Sequence, residues 1–245
     1  MPLVLLLLLF ITWQGTALAE QTLEIQVKQQ KIALPYWKAE HKALGGVLII
    51  QGGEPAHGSI FLRSLAGFLA KLEWSVLLLN TQQTGTPWIE QLPEGLSILR
   101  QQKIKRIVVV HYGAQAQQTL EYFNKLQAKQ VNGLILLSAY DIPLPKEQMM
   151  ISDKLRFPVF DIAGQFDYPE VLLQMKARVH QQAEQAVENA NPEQTVKSYQ
   201  SLIFPGAGHD YAYTRRMLAA YLGGWMSKLT EEKLAQAPVK PPVNR

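Results

Sequence analysis

Cysteine is absent from all 245 residues. No disulfide can staple the fold, and no lipid can be attached through a thiol beside a cleavage site. Stability must come from packing. Charge of one sign is also lacking: the formal net charge of +4 is scattered along the chain, whereas phosphate binding needs Lys and Arg gathered on one face. The nearest cluster, "KIKR" at 103 to 106, reads as a solvated approach to a strand. A nucleic-acid partner is therefore not expected. No internal repeat or low-complexity linker divides the chain, so one domain is the economical reading.

A long membrane-crossing run is missing too. The apolar stretch of about ten residues in "MPLVLLLLLFITWQGTALAEQ" falls short of the roughly 20 needed to span a bilayer. With small residues ending in Ala17-Leu18-Ala19, it reads as a signal peptide over residues 1–19, cleaved before Glu20. Its n-region carries no Lys or Arg. Export to the periplasm or the medium is the expectation, with no stable membrane insertion after cleavage. About 225 residues then remain, enough for one sizeable core. The main domain is expected over 20–230, and the Pro-rich "AQAPVKPPVNR" makes 231–245 a disordered tail.

Present throughout are short apolar runs alternating with longer segments of helical period, the pattern of parallel strands joined by crossover helices. Strands are expected at 46–52, 75–80, 106–112, 133–139, 158–164 and 196–204, and helices near 59–71, 88–101, 114–129, 169–190 and 211–228. Upstream, "LEIQVKQQKIALPYWKA" alternates polar and apolar residues and predicts an antiparallel hairpin at the sheet edge. The fold class is α/β, a mostly parallel central sheet flanked by helices. Only about sixteen residues separate "LLSAY" from "RFPVF", too few for a large lid, so any pocket beneath them should be shallow or open.

In an open parallel sheet, chemistry collects where the strands end and helix N-termini point inward. Three strand ends qualify: the strand-turn-helix "HYGAQA", then "DIAGQFDYPE" with Asp167, then "FPGAGHDY" with His209. "DYPE" is also a helix-capping sequence, in which Asp167 accepts N–H bonds and Pro169 starts a helix. The chain order is turn, acid, histidine.

These strands and the segments "PVFDIAGQFD" and "FPGAGHDY" resemble the α/β-hydrolase superfamily, and the exported, cysteine-free, lidless form resembles a branch of secreted bacterial proteins of unknown function. The resemblance covers roughly residues 22 to 230. It implies an acid at Asp167 and a base at His209, and it puts the nucleophile of the G-x-S-x-G elbow at Gly113. His111 and Gln115 occupy the two glycine positions. Gly113 tolerates the turn's backbone angles but carries no oxygen for His209 to deprotonate, so the covalent step is lost. Gln115 is expected either to displace the helix or to project its amide into the acyl space. In place of the His-Gly that family members carry after the strand at 46–52, the chain has Gln51-Gly52-Gly53, with His57-Gly58 further on. Backbone N–H groups of Gly53 and Ala114 are the remaining candidates for an oxyanion site.

A pseudo-hydrolase follows from this, acting by binding an unknown small molecule or envelope component. Its alternative is an esterase-like or other enzyme in which the Asp167–His209 pair activates water or an unorthodox nucleophile. Tyr112 is a candidate pocket wall or acid, and His111 a strand-end contact. Ser138 and Ser59 carry oxygens but lie in no elbow, and each reads as a buried or capping serine. His57, His111 and His209 have no ligand spacing that supports a metal. His41 and His180 are expected to face solvent. Neither a metal nor a cofactor is called for.

Overall fold

The computed structural model describes residues 20–53, 56–80, 84–125, 131–142, 151, 157–188 and 199–229, with backbone alone at 56–59 and 186–188. The expectations for 1–19 and 231–245 lie outside these residues, as does most of the segment between "LLSAY" and "RFPVF". Among the described residues, no helix is long and apolar enough to cross a membrane.

Two antiparallel strands, β1 (Gln21–Val27) and β2 (Gln30–Trp37), form the expected hairpin. Next come β3 (Gly45–Gly52), α1 (Ala56–Lys71), β4 (Trp74–Asn80), α2 (Trp88–Gln101), β5 (Ile107–Gly113) and α3 (Ala116–Asn124). The chain continues through β6 (Gly133–Leu137), β7 (Val159–Phe166), α4 (Pro169–Glu188), β8 (Tyr199–Gly208) and α5 (Arg215–Ser227). Among the described residues, eight strands lie in the order β1-β2-β4-β3-β5-β6-β7-β8. From β4 to β8 every pairing is parallel, and α1, α2, α3 and α4 each lie in a crossover, where they cover a sheet face.

Alternation along the strands sorts the core into two layers. Leu48, Ile50, Leu77, Leu79, Val109 and Leu136 pack against Leu92, Leu96 and Leu99 of α2 and Leu120 and Phe123 of α3. Their neighbours Val47, Ile49, Val76, Val110 and Ile135 face the other way, against Phe61, Leu65 and Leu69 of α1 and Leu218, Leu222 and Met226 of α5. Both faces of β3 to β6 are thus dry, which is why those strands are runs of Val, Ile and Leu.

Most boundaries shift by one to three residues from the sequence reading, and three shifts have a clear physical cause. The helix expected from 114 starts at Ala116, because Gln115 takes a left-handed backbone (φ 67°) as its N-cap. The last helix starts at Arg215 rather than 211, after a run of turns in which Tyr211 N–H bonds Gly208 O and Thr214 N–H bonds Tyr211 O. β8 runs through Pro205 to Gly208, past the expected end at 204. It is an edge strand, where a proline's missing N–H can face solvent without breaking the ladder.

Candidate functional site

β5 delivers Gly113 at φ 84°, a left-handed angle open to glycine without Cβ strain. The turn behind it is braced from beneath. His111 is fully buried; its Nε2 lies 2.9 Å from Ala114 O and its Nδ1 2.7 Å from Thr119 Oγ1. The structure therefore places His111 inside the scaffold of the turn. Gly52 lets β3 approach the same turn, since a Cβ there would lie 1.9 Å from Ala114 O. At Gly53 (φ 55°) a Cβ would sit 3.4 Å from both Ala114 Cβ and Gln115 Cδ. Gly53, Ala114 and Gln115 are thus neighbours. Gln115 sends its amide past Gly53 to Trp88, whose indole N–H it accepts at 2.8 Å.

Asp167 follows β7 and His209 follows β8, as expected from the strand ends. Their side chains meet: His209 Nδ1 is 2.6 Å from Asp167 Oδ1. Backbone N–H groups of Tyr168 and Gly164 donate to Asp167 Oδ1 and Oδ2, each at 2.9 Å. The reading of "DYPE" holds in that Asp167 accepts N–H bonds and Pro169 starts α4, and the same carboxylate serves the histidine. Burial pushes this carboxyl up, but the bonds from His209, Ser138 and Gly164 outweigh it and hold the pKa below the ordinary value.

Ser138, read from the sequence as an ordinary buried serine, is buried but belongs to this cluster. Its Oγ donates to Asp167 Oδ2 and lies 2.9 Å from Tyr211 Oη. Strand register explains its place: β5 and β6 pair Tyr112 with Leu137, so Ser138 stands beside Gly113. Tyr211 gave no sequence signal.

Tyrosines box the histidine. The Tyr168 ring stacks on His209 at 4.1 Å between centroids, Tyr112 lies at 5.1 Å and Tyr140 at 6.1 Å. Tyr112 is fully buried and donates its hydroxyl to His209 O at 3.4 Å, so it forms the inner wall. His209 is 8% exposed and its Nε2 is shut off from solvent.

A strap of four residues after β6 ties these parts together. Ser138 holds Asp167, and Ala139 O accepts from Arg178 Nη2 at 3.2 Å. Tyr140 N–H donates to Gly113 O at 3.1 Å while its carbonyl accepts from Ala116 N–H at 3.3 Å. Asp141 accepts the Gln117 N–H at the start of α3 through both carboxylate oxygens, at 3.1 and 3.2 Å, and its backbone is clamped on both sides by the Gln174 amide. Burial pushes the Asp141 carboxyl up to about 6. A carboxylate thus already occupies the electropositive end of α3.

Other candidates fall elsewhere. The side chains of His57 and Ser59 lie outside the described residues. His41 and His180 face solvent beside Glu73 and Glu184. Glu40, His41 and Glu73 offer ligand atoms within 4.8 Å of one another, but at the amino ends of the strands, opposite His209. A groove of about 570 Å³ runs between the β1–β2 turn and α2, lined by Lys28, Gln30, Thr86 and Glu90 among others. None of the residues around His209 lines it.

No protein-family model matches the chain, and no curated sequence does. Solved structures do match. Dienelactone hydrolase from Anabaena variabilis superposes with TM-score 0.62 at 16% identity, over 86% of this chain and 98% of that one. The esterase domain from Rhodothermus marinus gives 0.60 at 13%, over 86% and 99%. Est1E from Butyrivibrio proteoclasticus gives 0.58 at 13%, over 84% and 97%. At such identities the likeness is one of fold.

Proposed function

On this α/β-hydrolase fold, we propose an exported protein that acts by binding in the cell envelope, its serine-esterase chemistry lost at the nucleophile. The observation that carries the reading is Gly113. It stands at the end of β5 with φ 84° and no side-chain oxygen, so no acyl-enzyme can form there. The enclosure of His209 Nε2 supports the same reading, because a general base must come within hydrogen-bond reach of the proton it takes. Export rests on the leader-like residues 1–19.

The complete Asp167–His209 pair favours one alternative, in which the dyad is still a base. His209 would take a proton from water as the water oxygen attacks an ester carbonyl, then return it to the departing alkoxide. Removing a triad nucleophile costs orders of magnitude but leaves a residual rate from binding and the oxyanion site.

The test is turnover of short- and medium-chain chromogenic esters by the purified mature protein, beside Gly113→Ser and His209→Ala. The proposal expects no wild-type turnover above buffer. Wild-type turnover that His209→Ala abolishes overturns it in favour of the dyad. Activity gained in Gly113→Ser shows a frame that lacks only its oxygen. Export is tested by fractionating the native host and sequencing the N-terminus, which should begin at Glu20; recovery of full-length chain in the cytoplasm refutes it.

A further inference from the structure

We infer that Ser138 and Tyr211 are positioning residues, a two-hydroxyl relay that fixes the Asp167 carboxylate so that His209 is held in one orientation and one tautomer. The inference rests on the Asp167–His209 pair, and it stands whether that pair binds or catalyses.

Proton counting sets the direction of the relay. Asp167 is ionised and only accepts. His209 must then carry its proton on Nδ1 to bond Oδ1. Ser138 owns a single hydroxyl proton and points it at Oδ2. The 2.9 Å contact with Tyr211 is therefore made with the phenol as donor and Ser138 Oγ as acceptor. Tyr211 is fully buried and burial raises its phenol well above the ordinary value, so it keeps the proton it donates. Asp167 ends with four donors, two on each oxygen: Tyr168 N–H and His209 on Oδ1, Gly164 N–H and Ser138 on Oδ2. A carboxylate has about four lone-pair sites, and with all of them filled it cannot rotate.

Backbone geometry makes the second observation. Ser138 has φ 47° and Tyr211 φ 50°, left-handed angles that few non-glycine residues adopt. The two strained residues are 73 apart in sequence and meet through their hydroxyls. Strain of this kind persists only where the surroundings over-determine it, and it gathers at functional sites. Glycine would hold these angles without strain, so the two hydroxyls are kept at a cost that core filling does not require. Phe61 stacks on the Tyr211 ring at 5.5 Å and Phe204 meets it edge-on at 6.1 Å, so the hydroxyl is aimed by a packed wall.

The experiment reads the His209 imidazole directly, by long-range nitrogen–proton NMR of the whole protein, in wild type, Ser138→Gly and Tyr211→Phe. Glycine removes the hydroxyl but relieves the left-handed angle, which offsets part of the lost bond, so the variant remains folded. Wild type should show a single Nδ1-protonated tautomer. Ser138→Gly should show a several-fold rise in the Nε2-protonated tautomer and faster exchange of the Nδ1 proton, and Tyr211→Phe a smaller change of the same sign. Ring signals in both variants that overlay wild type overturn the inference, as does a wild type that already mixes tautomers. A stability loss in Ser138→Gly with the ring unchanged makes Ser138 structural and also overturns it. No turnover is needed, so this outcome and that of the ester assay are independent.

Discussion

Trp88 and Gln115 are joined through a 2.8 Å bond from the indole N–H to the amide oxygen, which ties the first residue of α2 to the residue that caps α3. The bond holds a side chain whose backbone is left-handed, at φ 67°. Gln115 thus resolves the question of what a large residue does at a glycine position of the elbow: it turns sideways, beneath Gly53, and becomes a brace.

Substitutions at 115 should separate the brace from the strain. Gln115→Ala keeps a Cβ at a positive φ and loses the bond, and should cost about 1–2 kcal/mol. Gln115→Gly loses the same bond but relieves the angle, and should be more stable than the alanine variant by about 1 kcal/mol. Denaturant midpoints at constant m check the order.

Asp141 gives a pH signature. Its carboxyl is raised from 3.8 to about 6, first by burial and next by Glu121, against the Gln117 N–H and the positive Arg178, which lower it. The folded state therefore holds this proton across a window in which the unfolded state has lost it. Stability from the neutral acid is whole below the unfolded value and falls as pH rises from near 4 to near 6, by on the order of 2 kcal/mol. Asp141→Asn, whose amide oxygen can still accept the Gln117 N–H, should match wild type at pH 4 and exceed it above pH 6. Asp167 works with the opposite sign: its lowered carboxyl contributes stability that is present above the unfolded value and lost as pH falls through the folded one. Thermal melts from pH 3 to 8 read both slopes.

Beneath the strap, Arg178 grips Asp161 through Nε at 2.6 Å and Nη2 at 3.0 Å, and Tyr199 donates to the same carboxylate at 2.8 Å. Arg178 is 2% exposed and Asp161 fully buried. Arg178→Met leaves a buried charge uncompensated and should cost about 3–5 kcal/mol. The double variant Arg178→Met, Asp161→Leu should recover most of that loss, because desolvation of the pair offsets much of its attraction. A double-mutant cycle by urea unfolding measures the coupling.

Much of this was legible from residue order. Buried strands announce themselves as runs of Val, Ile and Leu, and α2 spans the expected 88–101 because its apolar period marks the face and Pro87 the start. Asp167 and His209 were legible because each directly follows a strand. Ser138, Tyr211 and Asp141 were not, since what marks them is a backbone angle or a contact across 29, 73 or 24 residues. No local pattern encodes such pairings. β8 runs on past 204 through Pro205-Gly206, a pair with the chemistry of a turn that a sheet edge tolerates within a strand.

That edge has a further meaning. Among the described residues β8 pairs on one side alone, with β7, and its register slips between Gly164 and Phe166 just before the histidine. His209 is delivered by this strand, whereas Asp167, Ser138 and Gly113 hang from strands flanked on both sides. Fraying is cheapest at an edge. The free energy at which the β8 amides open to solvent thus bounds the fraction of molecules in which the histidine has left its acid, and a site assembled from deep parts is only as firm as the shallowest of them.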